Sequence, residues 1–164
     1  MPRSTPLPGA LQDLHDARLH RGAEAALFAR LKADHEIALP DSHQAVLGAS
    51  NGIETYGGYF RLFGLYAGEA VDSVAWNGRN HWKFAWGDRC AGYWCFGETA
   101  WGDQYAYALE ALRDGGEAKV YLLDAFSMSP QETASSFAEF IENEFSQRAE
   151  APDRRTLWVL KEGK

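Results

Sequence analysis

Apolar residues recur along the chain at two periods, and the change between them divides it. From Ala10 the period is helical: Leu11 and Leu14 stand three apart, Gly22 interrupts, and Leu27, Phe28, Leu31 and His35 recur at three and four across "AEAALFARLKADHE". Two short helices and one kinked helix fit this stretch equally. In "LPDSHQAVLGASNG", Pro40 ends one element, Asp41 is placed to cap the next with Gln44 three residues later, and a short helix runs from Ser42 to about Ala49. Asn51-Gly52 supplies left-handed backbone at its end.

Beyond Gly52 the runs shorten and turn residues separate them. Tyr59 to Phe63, Lys83 to Trp86, Tyr93 to Phe96, Gln104 to Leu109 and Lys119 to Leu123 are predicted strands of an antiparallel sheet, with Asn77-Gly78 and "RDGGE" as turns. In "QYAYAL", Tyr105, Tyr107 and Leu109 share one face and Ala106 and Ala108 the other, so one side presents large groups and the alanine side has room for a packed helix. The helical period then returns. Ser129 as cap, Pro130 at the first helical position and Glu132 at the third predict a helix start, with Ala134, Phe137, Ala138, Ile141 and Phe145 as its apolar stripe. Leu157 to Leu160 is a candidate edge strand. The expected organisation is a flexible segment 1–9 followed by one α+β domain over 10–164.

Composition narrows the class. With 23 acidic and 16 basic residues the formal charge is -7, opposite to the balance of a phosphate-backbone binder, so no nucleic-acid partner is expected. No run approaches the roughly 20 apolar residues that span a bilayer, and "MPRSTPLPGA" lacks the apolar segment of a secretory signal. A cytoplasmic protein with no membrane partner is expected. Cys90 and Cys95 are too few for a disulfide scaffold and lack C-x-x-C spacing.

Candidate chemistry is sparse. A zinc site wants four convergent ligands, whereas only His81 stands near Cys90 and Cys95 in sequence, and opposite strand parity would send those two sulfurs to opposite faces. Neither metal nor cofactor is expected. No G-x-S-x-G or P-loop occurs, and no catalytic residue is assigned. The strongest enzymatic alternative is a carbohydrate-directed site, or a sugar-binding domain, built on Asp88, Glu98, Asp103 and the tryptophans. Against it, Gly-Asp is ordinary turn chemistry. Rings on both faces near Trp94 imply one face in the core and a second that needs cover or a partner, read here as an exposed aromatic face.

Several stretches resemble the SUKH superfamily, bacterial immunity proteins of polymorphic toxin systems that also include fungal cell-wall synthesis regulators. Leu39-Pro40 opening a short helix that ends at Asn51-Gly52, "WKFAWGDRCAGYWCF" as a strand, Gly-Asp turn, strand unit, and "SSFAEFIENE" as a closing helix carry the resemblance over about residues 24–146. It departs at His43, where the family usually has an aromatic, and at Val46, where Phe is frequent. The resemblance implies a twisted, mainly antiparallel sheet flanked by helices and a non-enzymatic protein that neutralises a cognate toxin, commonly a nuclease, by binding it. A basic toxin would suit the charge. Regulatory or scaffold binding of an unrelated protein is the further alternative. The expected partner face comprises Glu54, Tyr56, Asp88, Glu98, Trp101 and Asp103, all read as loop residues, with Trp101 either the aromatic anchor or a core residue under its loop.

Overall fold

Alternation puts Ile53, Phe60, Leu62, Tyr105 and Tyr107 on one side of a sheet, and helices cover that side. The computed structural model describes residues 17–55, 60–68, 70–78 and 87–149, with 144–149 as backbone. Its strands are β1 (Ala17–Leu19), β2 (Ile53–Thr55), β3 (Phe60–Leu62), β4 (Tyr93–Thr99), β5 (Gln104–Ala108), β6 (Val120–Leu123) and β7 (Pro130–Ala134), ordered β1 to β7 as an antiparallel meander. The helices described are α1 (Ala25–His35), α2 (Asp41–Ala49), α3 (Ser73–Trp76) and α4 (Phe137–Ala149). The fold is a single α+β domain, as the sequence predicts.

The main core joins the helices to one sheet face. Leu31 of α1, Val46 and Leu47 of α2, and Phe137, Phe140 and Ile141 of α4 meet Ile53, Phe60, Leu62, Trp94, Phe96, Tyr105 and Tyr107. Rings dominate the contact, with Phe140 4.6 Å from Tyr105 and Phe96 4.5 Å from Tyr107 between centroids. The two-sided reading of β5 is therefore right in its alternation and reversed in its packing. The tyrosine face takes the helices, because their aliphatic and aromatic stripes need large partners, while the alanine face lies under α3 and its neighbours.

That second face carries its own small core. Phe63, Cys90, Cys95, Ala106, Leu123 and Met128 are buried together, with Trp76, Val71, Tyr93 and Tyr121 packed against them. Phe63 and Trp76 stand 4.9 Å apart. The expected exposed aromatic face is thus covered by the chain itself. Cys90 and Cys95 are both buried, and they share this cluster. Strand parity does not separate the two sulfurs because Cys90 sits in a 3-10 turn, Gly87–Cys90, rather than in the strand.

Other local expectations shift. Residues 17–19, read as helical, form edge strand β1, whereas α1 follows the pattern through Leu31. At α2 the N-cap position is Pro40; Asp41 is the first helical residue, and the Gln44 amide donates to the Leu39 carbonyl instead of completing a capping box. Gly52 has φ +105°, the left-handed conformation expected, although Ser50 intervenes as the C-cap. The largest correction is at "SPQE": Pro130 opens edge strand β7 opposite Leu123, and α4 begins seven residues later. Pro is tolerated at an edge because its missing N–H faces no neighbour. The true start is "SSFAE", where the Ser136 hydroxyl accepts the Glu139 N–H at 3.1 Å and the Glu139 carboxylate accepts the Ser135 N–H at 3.2 Å. Ala134 belongs to β7, and Phe140 replaces exposed Ala138 in the buried stripe. The predicted strands at Lys83 to Trp86 and Leu157 to Leu160, together with His81 and the side chain of Phe145, lie outside the described residues.

Candidate functional site

The meander places the β4–β5 turn (100–103) and the β6–β7 turn (124–129) at one end of the sheet. Gly102, at φ +89°, closes the first turn. The two turns are joined: the Asp103 carboxylate accepts the Ala125 N–H at 2.9 Å. The second turn is wound around Asp124, which accepts from the N–H groups of Phe126 and Ser127, both at 2.9 Å, and from the Ser127 hydroxyl at 3.1 Å. Those bonds, that from the Ser127 N–H foremost, hold the Asp124 carboxyl below its usual range, so it is ionised at neutral pH. Trp101 is 39% exposed and Phe126 is 88% exposed. Trp101 is therefore a surface residue of its turn rather than a core residue beneath it.

Glu54 and Glu98 reach the same part of the molecule differently. They lie on β2 and β4, not in loops, and register aligns Arg18, Glu54, Arg61, Glu98 and Gln104 as one row across five strands. Alternating charge holds the row together. Arg18 stands 3.9 Å from Glu54, Arg61 is ion-paired with Glu98, the Gln104 amide donates to Glu98 at 3.3 Å, and the Trp76 indole N–H donates to Gln104 at 3.0 Å. A bulge in β4 at Phe96 creates this row. Without the extra residue, Cys95 and Glu98, three apart, would face opposite sides of the sheet. Sequence parity therefore could not have located Glu98.

Of the six residues expected at the partner face, Glu54, Glu98, Trp101 and Asp103 lie toward this end of the sheet, with Glu98 buried at 7% exposure rather than presented at the surface. Asp88 does not. It lies before β4, and Tyr93 to Glu98 alone spans roughly 17 Å of strand. Tyr56 lies outside the described residues. Asp88 is separated from Glu98 and Asp103 by the length of β4, and Glu98 is engaged with Arg61. Phe126 and Asp124 were missed by sequence reasoning. The available signal was a lone large apolar residue inside the turn-forming run "DAFSMS".

Elsewhere, a cleft of about 360 Å³ is lined by His20, Arg21, Leu27, Asn51 and Tyr66 among others, and none of Glu54, Asp88, Glu98, Trp101 and Asp103 is among its described lining residues. Among the described residues, no group of three or more His, Cys, Asp or Glu side chains is placed to hold a metal, and no helix is long and apolar enough to cross a membrane.

The sequence model of the SMI1 / KNR4 family (SUKH-1) matches residues 22–143, a span that takes in β2 through β7, α1 to α3 and the first turns of α4. The chain belongs to the SUKH-1 family. A search of curated proteins found no match. Within this SUKH-1 domain, the departure at position 43 has a structural account. His43 is buried and does the work of an aromatic ring, stacked on Phe137 at 4.1 Å and 3° and set edge-on to Phe96 at 5.1 Å. Its Nδ1 is 2.8 Å from the Tyr107 hydroxyl, a polar contact that a phenyl ring could not make. Nε2 is buried without a hydrogen-bond partner, and burial lowers the imidazole pKa to about 3.

Proposed function

We propose that this SUKH-1 protein is a non-enzymatic immunity protein that binds a cognate toxin and neutralises it through the sheet end bearing Trp101 and Asp103. The observation that carries the reading is the combination of SUKH-1 membership with an exposed aromatic on a turn stiffened by side chain to backbone bonds. Large rigid side chains at the centre of a polar rim are what anchor protein interfaces. A stiffened turn also loses little conformational freedom on docking. The net charge of -7 favours fast encounter with a basic toxin, and a nuclease that holds phosphate with Lys and Arg is one such partner. No cofactor is called for, because blocking by occupancy requires only contact.

The test is cross-linking of the tagged chain in the cell that encodes it, identification of the captured protein, and expression of that protein with and without this chain. The reading expects a toxic product whose harm disappears on co-expression and returns when the two cannot bind. A captured partner that is harmless alone would instead indicate regulatory or scaffold binding.

A further inference from the structure

We propose that Phe126 is a principal docking anchor of this chain, and that its partner presents an apolar cup rimmed by Lys and Arg. The inference rests on the reading that the chain acts by binding a protein, and it names a residue and a partner chemistry that the reading lacks. Phe126 is the most exposed large apolar side chain among the described residues, at 88%, and nothing in its own turn covers it. An isolated exposed apolar residue is unremarkable on a mobile loop. This one is held outward. Three successive backbone N–H groups, those of Ala125, Phe126 and Ser127, are each satisfied by an aspartate, Asp103 or Asp124. Met128, at φ 57° and buried in the second core, pins the far side of the same turn. A ring presented on a turn fixed at both ends meets the requirement for a preorganised anchor.

Charge defines the partner. The segments 97–104 and 124–132 contain Glu98, Asp103, Asp124 and Glu132 and no Lys or Arg. Glu98 is paired with Arg61 and Glu132 with Lys119, at 3.5 Å in the latter case, whereas among the described residues Asp103 and Asp124 bond to turn backbone and Ser127 and to no Lys or Arg. A second copy of this chain would bring like charges together, and an anionic lipid surface would be repelled. A cationic rim around an apolar cup fits both features at once.

The experiment uses the purified full chain and a phage-displayed random peptide library, followed by titration of the selected peptides against three proteins: wild type, Phe126→Ser and Glu110→Gln. Glu110 is exposed beyond the other end of β5 and serves as the control. Selected peptides are expected to combine Lys or Arg with a large apolar residue, to bind Phe126→Ser about tenfold more weakly or worse, and to bind Glu110→Gln as wild type. Phe126→Ser should keep the wild-type melting temperature, since the side chain packs on little. Absence of enrichment, enrichment of acidic peptides, or binding indifferent to Phe126→Ser would overturn the proposal. So would Phe126-dependent binding to phosphatidylcholine vesicles, which would make the residue a membrane wedge. None of these outcomes depends on toxin neutralisation, so failure here leaves the immunity reading to its own test.

Discussion

His43 shows how one position can satisfy an aromatic core and still be polar. Its folded pKa of about 3 lies below the 6.5 of an exposed imidazole, so the unfolded chain takes up a proton first as the pH falls. The contribution is fully present above pH 6.5 and is lost on acidification, at about 1.4 kcal/mol per pH unit, until the folded pKa is reached. Wild type should lose about 2 kcal/mol from this group between pH 6.5 and about 4.5 in urea titrations. The double variant His43→Phe, Tyr107→Phe, which removes both members of the buried contact, should lose that much less over the same interval. Equal losses would show that His43 is not buried neutral. The charge row offers a second residue-scale contrast. Arg61→Ala leaves Glu98, buried at 7% exposure, without its cation and should cost about 2 kcal/mol or more. Arg18→Ala, whose own side chain is 69% exposed, should fall within about 0.5 kcal/mol. Thermal melts of the two variants distinguish them.

At the scale of elements, the packing of α4 and its start are separately testable. Phe137→Ala and Ile141→Ala should each cost about 2 to 5 kcal/mol, from lost transfer energy plus a cavity. Ser136→Ala should cost about 1 kcal/mol through the cap, and Ser129→Ala, exposed in a turn, about 0.5 kcal/mol or less. The reverse order in denaturant midpoints would restore the start at Ser129. Both "SPQE" and "SSFAE" fit a cap signature, and only pairing of β7 with β6 decides between them. That competition is tertiary and invisible to local pattern. Runs such as "QYAYA" and the stripe at Phe137 and Ile141 were legible because burial on one face writes its period into the sequence. β1 and β2, three residues each, are too short to carry a period, and the Phe96 bulge resets parity in mid-strand. Trp101 and Asp103 were legible as turn residues of a candidate face. Phe126 was not, since nothing local records that Asp103, across the sheet, ties its turn down.

For the whole molecule, recognition through one end of the sheet would make charge matter by place rather than by total. Asp103→Asn keeps an oxygen for the Ala125 N–H while removing a charge, and it should slow association with the toxin at low salt and flatten the salt dependence. Asp88→Asn removes the same charge at the opposite end and should leave the association rate near that of wild type. Equal effects in stopped-flow measurements would reduce the net charge to a general influence. The most direct test of the central claim is a titration of the toxin's activity with the purified chain and with Trp101→Ala. Neutralisation by occupancy predicts activity falling to zero at one equivalent of wild type, and a Trp101→Ala variant that still unfolds cooperatively but binds about 2 kcal/mol more weakly. Activity persisting in excess wild type, or abolished at a small fraction of an equivalent, would contradict it.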